Sequence, residues 1–250
     1  MKGKSHTFTT RAARRLPCAS LLLSAAAMLV FVLPSATTWL QYDRLAIAAG
    51  EIWRLVSSHW THASTDHLFW DVLTFLVLGT LCERMSRLRF CACVLGSTVL
   101  IPVALWIALP HLETYRGLSG IDSALYVLLA VTLLKDEVHG RRWGWVMALS
   151  GVLFAFIGKV GYEIATGATI FVNSGASHMI PVPLAHCVGA AVGMIVGLMR
   201  IPNWLQAPWR DLSGRESAGG RHAHHYRRMF TDVVSSAQIN EEEVRHGLRG

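Results

Sequence analysis

The sequence predicts an all-α membrane protein with six transmembrane helices, and three observations lead to this fold class. Hydrophobic residues make up 52% of the 250 residues and charged residues only 16%, whereas soluble domains usually carry about 25% charged residues. Six apolar runs are long enough to cross a bilayer, which takes about 17–25 residues. The basic residues are also distributed unevenly among the segments between these runs, as membrane topology requires.

The six predicted spans are, in chain order, residues 16–36, 67–83, 90–109, 118–134, 143–161 and 184–200. Polar residues interrupt the second and the fourth. A cleaved signal peptide is an alternative for the first, because Arg14 and Arg15 precede it. Its apolar stretch is longer than the roughly 7–15 residues of such a segment, and a retained span keeps the charge pattern consistent with six crossings.

The excess of basic residues, a formal net charge of +7, indicates how the chain is oriented. Nineteen of the 23 Lys and Arg lie in the amino terminus, in residues 84–89 and 135–142, and in the tail from Arg200. Only three lie in the loops predicted on the outer side, residues 37–66, 110–117 and 162–183. Because basic loops stay cytoplasmic, both termini are predicted to be cytoplasmic. The charge therefore reports topology, and no nucleic acid is expected as a partner.

Three regions follow from this pattern. Residues 1–15 are basic and polar and are predicted to form a cytoplasmic arm. Residues 16–200 are predicted to form the membrane domain, which lies in the lipid bilayer. Residues 201–250 are polar and charged, and we expect them to be a cytoplasmic tail that is partly disordered.

The sixth span carries a histidine and a series of glycines on one helical face. His186, Gly189, Gly193 and Gly197 follow the spacing i, i+3, i+7 and i+11, which aligns them along an α-helix. A glycine face lets two helix backbones approach closely inside a membrane. His186 would then lie near the outer end of that contact.

The fourth span opens with Gly117-Leu118-Ser119-Gly120, and Ala124 follows. These small residues match the glycine face of the sixth span, so the two helices are predicted to pack together. Ser119 would begin the fourth helix, where unpaired backbone N–H groups point outward. Such groups, with the helix dipole, suit an oxygen that develops negative charge.

Ser119 and His186 together predict a hydroxyl nucleophile beside an imidazole base, and hence peptide-bond hydrolysis inside a bilayer. No carboxylate is clearly placed to orient the ring, so a two-residue dyad is the simpler prediction. Lys159 and Glu163 are i and i+4, which favours a structural ion pair over a role in substrate binding. Asp122 lies one turn after the serine, and either faces His186 or forms a hydrogen bond within the bundle.

A second polar cluster lies at the outer end of the second span. His67 and Asp71 are i and i+4 and share a helix face, with His59 and His62 just before them. Zinc binding is the rival interpretation, but the His-Glu-x-x-His pattern is absent and no third helical ligand is evident. No metal or other cofactor is therefore predicted. His67 is better suited to donate a hydrogen bond to a carbonyl oxygen, and His62 to cap the loop or hold water.

These motifs resemble the rhomboid family of intramembrane serine proteases over roughly residues 16–200. Cys82-Glu83-Arg84 is also similar to the Glu-Arg pair that closes the family's second helix. The resemblance implies a rhomboid-like bundle of six transmembrane helices with a short fourth helix at its centre. It implies Ser119 as nucleophile, His186 as base and His67 as oxyanion donor. The residues it implies around the oxyanion hole are Asp71, Gly117, Leu118 and His62, and those for helix packing are Gly120, Ala124, Gly189, Gly193 and Gly197.

Finer details resemble the rhombosortase branch of that family. Lys159, Tyr162 and Glu163 precede a loop that contains Gly167, and the six-span core is compact. This resemblance implies an enzyme of the bacterial inner membrane. Its substrates would be membrane-anchored proteins that carry glycine-rich carboxy-terminal sorting signals.

Two residues depart from the family pattern. Asp71 replaces the usual Asn, and an ionised carboxylate there would repel an oxyanion unless burial kept it protonated. Ser123 replaces an aromatic residue or histidine that often supports the base. These departures leave open a catalytically inactive rhomboid-like protein that binds or escorts membrane proteins. A proton-relay transporter is a weaker alternative, since the sequence has no internal repeat and no paired broken helices.

Overall fold

The computed structural model describes residues 16–33, 35–170 and 181–200, which are mostly helical. The α-helices of this described part are α1 Cys18–Val32, α2 Ala36–Leu40, α3 Arg44–Ala48, α4 Arg54–Ser57, α5 Thr65–Met85, α6 Arg87–Ala108, α7 Ser119–His139, α8 Trp143–Thr166 and α9 Pro183–Leu198. A 3₁₀ turn, Ser58–Trp60, follows α4. The predicted arm, 1–15, and the predicted tail, 201–250, lie outside the described residues. So do residues 171–180 of the predicted loop 162–183.

Each of the six predicted spans contains one of the long helices α1, α5, α6, α7, α8 and α9, with ends shifted by a few residues. The largest shifts are in α7 and α8, which continue to His139 and Thr166 rather than ending at residues 134 and 161. Among the described helices, only α6 and α8 are long and apolar enough to cross a membrane on those two criteria alone, and α1 and α9 are apolar but shorter. Six crossings therefore stay a prediction.

Short polar signals fix where the long helices begin and end. Ser64 caps α5 by accepting a hydrogen bond from the amide of His67, and Ser86 caps α6 in the same way. Proline occupies the first position of α9, where its missing N–H costs nothing. Gly167 ends α8 in the left-handed conformation, with φ of 66°.

The connections before α5 and before α7 are joined by a small antiparallel sheet that the all-α prediction did not include. Strand β1, Tyr42–Asp43, pairs with strand β2, Thr114–Tyr115. The amide of Gly117 also donates to the carbonyl of Ser58, over 3.3 Å. These hydrogen bonds hold the segment that enters α7.

A buried carboxylate attaches α1 to α5. Glu83, near the end of α5, accepts hydrogen bonds from the amides of Ala19 and Ser20 at 3.2 and 2.9 Å. It also accepts one from the Ser20 hydroxyl at 2.9 Å. These amides belong to the first turn of α1, where a negative charge is stabilised by the helix dipole.

Helix α7 lies at the centre of the packing, against α5, α6, α8 and α9. Its closest neighbour is α9, because a Cβ atom at Gly189 would overlap the carbonyl oxygen of Gly120. A Cβ atom at Gly193 would likewise overlap the carbonyl oxygen of Ala124. The family resemblance implied a short central helix, and that expectation was wrong, since α7 has 21 residues, as many as α5.

Candidate active site

A strained turn presents Ser119 at the start of α7. Gly117 has φ of 111°, which favours glycine. A Cβ atom there would also lie 2.6 Å from His67 Nε2 and 2.9 Å from Asp71 Oδ2. Any larger residue would therefore push the second polar cluster away. Leu118 takes the N-cap position and is fully buried.

The structure brings Ser119 and His186 together. His186 is the fourth residue of α9, and its Nε2 atom lies 3.1 Å from Ser119 Oγ. The ring is 4% exposed, so water does not compete strongly for this contact. The close approach of α7 and α9 at their glycines sets the distance between the two side chains.

Glu163, near the end of α8, faces the other side of the His186 ring. Its Oε2 atom lies 2.8 Å from His186 Nδ1, a distance at which Nδ1–H donates to the carboxylate. That hydrogen bond fixes the tautomer, so Nε2 keeps its lone pair toward Ser119. The expectation that no carboxylate orients His186 was wrong, because Ser119, His186 and Glu163 form a continuous line of contacts.

Lys159 completes the group one turn before Glu163. Its Nζ atom lies 2.8 Å from Glu163 Oε1 and 3.3 Å from His186 Nδ1. The sequence interpretation of Lys159 and Glu163 as a structural pair is thus incomplete, since both side chains also contact the histidine. The signal that could have identified Glu163 is its position along the span: like His186, it lies near the end that the charge pattern predicts to be on the outer side.

The histidine and aspartate of α5 form a separate cluster beside Leu118. Asp71 Oδ2 accepts a hydrogen bond from the Leu118 amide at 2.8 Å. His67 Nε2 lies 3.1 Å and His62 Nε2 lies 3.4 Å from the same oxygen. All three residues are buried. Asp71 is therefore an acceptor in this structure, and the Leu118 amide that we expected at the oxyanion hole is engaged with it.

Ser119 itself offers a free donor. Across the described ranges, its amide has no hydrogen-bond acceptor, because it is the first residue of the helix. His67 borders the same cavity as Ser119. The Ser119 amide is thus a free donor beside the nucleophile, whereas His67 accepts from the Ala63 amide at Nδ1 and directs Nε2 toward Asp71.

His59 does not join this cluster. It is fully buried, and its Nε2 atom lies 3.2 Å from the carbonyl oxygen of Thr98 on α6. Its ring meets the Tyr115 ring edge to face, with centroids 5.9 Å apart. Burial lowers the pKa of His59 to about 4, against hydrogen bonds to backbone carbonyls that raise it. His59 is therefore a neutral structural residue under the turn.

An open cavity of about 1530 Å³ leads to Ser119 between α5, α7 and α8. Asp122, Ser123 and Tyr126 of α7 also line it. The Ser123 hydroxyl donates to the carbonyl of Ser119 at 2.8 Å, so it stays within the helix and does not support His186. Within residues 16–33, 35–170 and 181–200, no group of three or more His, Cys, Asp or Glu side chains is arranged to hold a metal ion.

Comparisons with known proteins found a matching family model and a similar protein. A family model described as a rhomboid domain matches residues 49–203, a region that contains every site residue described above. The chain is also 26% identical over 186 residues to the Bacillus subtilis (strain 168) protein named "Putative rhomboid protease YdcA". That alignment covers 72% of this chain and 85% of the Bacillus protein.

Proposed function

This chain belongs to the rhomboid family, whose model spans more than half of its length, and we propose that it is an intramembrane serine endopeptidase. Ser119 acts as nucleophile, His186 as general base and acid, and Glu163 as the residue that orients His186. One observation carries the proposal: a hydroxyl, an imidazole and a carboxylate in sequence, separated by 3.1 and 2.8 Å.

The reaction follows from this order of groups. His186 Nε2 takes the proton of Ser119 as Oγ attacks the scissile carbonyl carbon. Glu163 stabilises the imidazolium that forms, and the histidine then protonates the leaving amine as the C–N bond breaks. Water enters from the cavity, loses a proton to His186 and attacks the acyl carbon. The bond from that carbon to Ser119 Oγ then breaks, His186 returns the proton to Oγ, and the new carboxyl terminus leaves.

The oxyanion is stabilised by the Ser119 amide and by His67. The Ser119 amide is fixed before the substrate arrives, whereas the Nε2–H group of His67 faces Asp71 and must turn toward the oxyanion. Burial makes each of these hydrogen bonds electrostatically stronger than it would be in water. Asp71 holds the Leu118 amide and lies against His67, so it supports the donors rather than donating itself. This role replaces the direct donation that an Asn at that position would supply.

We further propose how the protein crosses the membrane and which class of substrate it cleaves. The protein crosses the bacterial inner membrane six times, with both termini cytoplasmic, and the site opens toward the outer side. The charge distribution supports this topology. Substrates are membrane-anchored proteins that enter from the lipid bilayer. Lys159 and Glu163, with Tyr162 between them, support the rhombosortase branch and hence glycine-rich carboxy-terminal sorting signals as substrates.

Cleavage of a tagged reporter tests the proposal. The reporter carries a glycine-rich motif, a hydrophobic span and a basic tail, and it is expressed with each variant in a strain that lacks other rhomboid-like proteases. We expect cleavage with the wild type and with the control Ser150→Ala, and none with Ser119→Ala or His186→Ala. Cleavage by Ser119→Ala at the wild-type rate would contradict the assignment.

A second function is favoured by Asp71. Its carboxylate accepts the hydrogen bond of the Leu118 amide, so this amide is not available to an oxyanion. If the oxyanion site is blocked in this way, the protein binds or escorts membrane proteins without cleaving them. Fluorophosphonates, which react with activated serines, separate the two functions. If the protein is an escort, Ser119 should not react with the fluorophosphonate in the wild type and should gain that reaction in Asp71→Asn. The protease predicts reaction in the wild type.

A further inference from the structure

One face of α7 continues from Ser119 into the cavity. Ser119, Asp122, Ser123 and Tyr126 follow the spacing i, i+3, i+4 and i+7, and all four line the cavity. Asp122 lies about 4.5 Å further along the helix axis than the nucleophile. It is 6% exposed. A substrate bound at Ser119 would therefore place a neighbouring side chain close to this carboxyl group.

Asp122 differs from the other buried carboxyl groups. Asp71 accepts from a backbone amide, Glu83 accepts from the first turn of α1, and Glu163 contacts a histidine and a lysine. The Asp122 side chain forms no hydrogen bond with any described residue, and its Oδ1 atom is fully buried. A buried acceptor without a partner reduces stability. Such a group is expected where a ligand supplies the missing donor.

We propose that Asp122 is the specificity-determining residue of a subsite for the substrate residue whose carbonyl group is attacked. The subsite takes a side chain that ends in a hydrogen-bond donor, either a hydroxyl or an ammonium group. This inference rests on the proposed protease function and adds the chemistry of the residue before the cut.

The walls of the subsite support this chemistry. Trp70, Tyr126 and Phe156 line the cavity with Asp122, and the rings of Tyr126 and Phe156 stack with centroids 5.5 Å apart. Aromatic side chains and the burial of Asp122 reduce its contact with water, so a hydrogen bond to the carboxyl group discriminates more strongly than it would in water. A site built to pair with a donor rejects an isostere that lacks one, because the buried acceptor is then left unpaired.

The charge of the cavity favours the same class of side chain. Its lining contains four carboxyl groups and two cationic side chains, namely Asp71, Glu113, Asp122 and Glu163 against Arg116 and Lys159. Lys159 is already paired with Glu163 at 2.8 Å. No cation is paired with Asp122 within the described ranges, so a substrate ammonium or hydroxyl group meets an unoccupied acceptor there.

Peptide aldehydes that compete with a fluorophosphonate for Ser119 test the proposal. The full chain is purified in detergent, and the aldehydes differ only in the residue that carries the aldehyde. Two matched pairs isolate the donor: serine against alanine, and lysine against norleucine. In at least one pair, we expect the wild type to bind the aldehyde whose side chain carries a donor about tenfold more tightly than its partner. This is the difference expected for a hydrogen bond to a charged group.

Variants assign the preference to Asp122. In Asp122→Val, the affinities for the two aldehydes of each pair should differ by no more than about twofold. Asp122→Asn keeps an acceptor oxygen, so it should retain any preference for serine and lose any preference for lysine. Asp136→Asn makes the same chemical change on the exposed far end of α7, about 20 Å from Asp122, and should behave as the wild type.

The outcomes distinguish this inference from the function on which it rests. Absence of fluorophosphonate reaction in the folded wild type would overturn both. Reaction at Ser119 with no preference in either pair, or with a preference that persists in Asp122→Val, would overturn the subsite and leave the protease assignment intact. If Asp122→Val does not fold, Asp122→Ala takes its place: loss of the wild-type preference in Asp122→Ala supports the proposal, and a preference equal to that of the wild type overturns it.

Discussion

Replacing Glu163 with Gln removes the negative charge that faces His186 while keeping an oxygen near Nδ1. Two charges in contact, about 3 Å apart, attract by about 5 kcal/mol at an effective dielectric constant near 20. Most of this is offset by the cost of desolvating the carboxylate. A hydrogen bond to a charged partner has a net value of about 1.5–3 kcal/mol, against about 1 kcal/mol for a neutral one.

The difference predicts a loss of about 1.3 kcal/mol of transition-state stabilisation in Glu163→Gln, or roughly a tenfold slower reaction. Glu163→Ala should lose more, because the Nδ1–H group then has no acceptor and the wrong tautomer becomes accessible. Lys159 adds to both effects, since its ammonium group lies 3.3 Å from His186 Nδ1 and loses its counter-ion.

The assay is the rate at which a fluorophosphonate inactivates Ser119 in detergent micelles. Glu137→Gln is the matched control, because it weakens the hydrogen-bonded ion pair of Glu137 with Arg142 at the end of α7 far from Ser119. Melting temperatures show whether each variant is folded. A folded Glu163→Gln protein that reacts at the wild-type rate would refute the orienting role, and so would an equal loss in Glu137→Gln.

Three further predictions concern stability in detergent. In Gly193→Val, a branched side chain overlaps the carbonyl oxygen of Ala124. This overpacking should cost about 2 kcal/mol and lower the melting temperature by about 5 °C. An unchanged melting temperature would contradict the close contact between α7 and α9. Glu83→Ala leaves the first-turn amides of α1 without their carboxylate, which should cost about 1–3 kcal/mol, and equal protease sensitivity of α1 in wild type and variant would contradict it. Burial lowers the pKa of His59 to about 4 from 6.5, so between these values the unfolded chain binds a proton that the folded protein does not. Stability should therefore fall by about 3 kcal/mol as the pH drops from 7 to 4, and a fall of the same size in His59→Gln would exclude this origin.

The part of the site that depends on local spacing could be predicted from the sequence. The interval from His186 to Gly193 aligns the histidine with the glycine face, and the serine motif begins at a predicted helix start. The structure places these helices in contact and the two side chains 3.1 Å apart. The family assignment made from those motifs is confirmed by the rhomboid domain match, whereas the rhombosortase branch stays a prediction.

The rest depends on contacts between helices, which spacing along one helix does not reveal. Glu163 and Lys159 are i and i+4, so the sequence favours pairing them with each other. Only the packing of α8 against α9 brings the carboxylate to His186. Asp71 was similarly ambiguous, because its role depends on the turn at Gly117 that directs the Leu118 amide toward it.

The most direct test of the account is to map the fluorophosphonate adduct by mass spectrometry in the full-length protein. If Ser119 is a nucleophile activated by His186, the wild type should carry the adduct on Ser119, and folded His186→Ala protein should carry none. An unmodified Ser119 in folded wild-type protein, or equal modification in both proteins, would contradict the account.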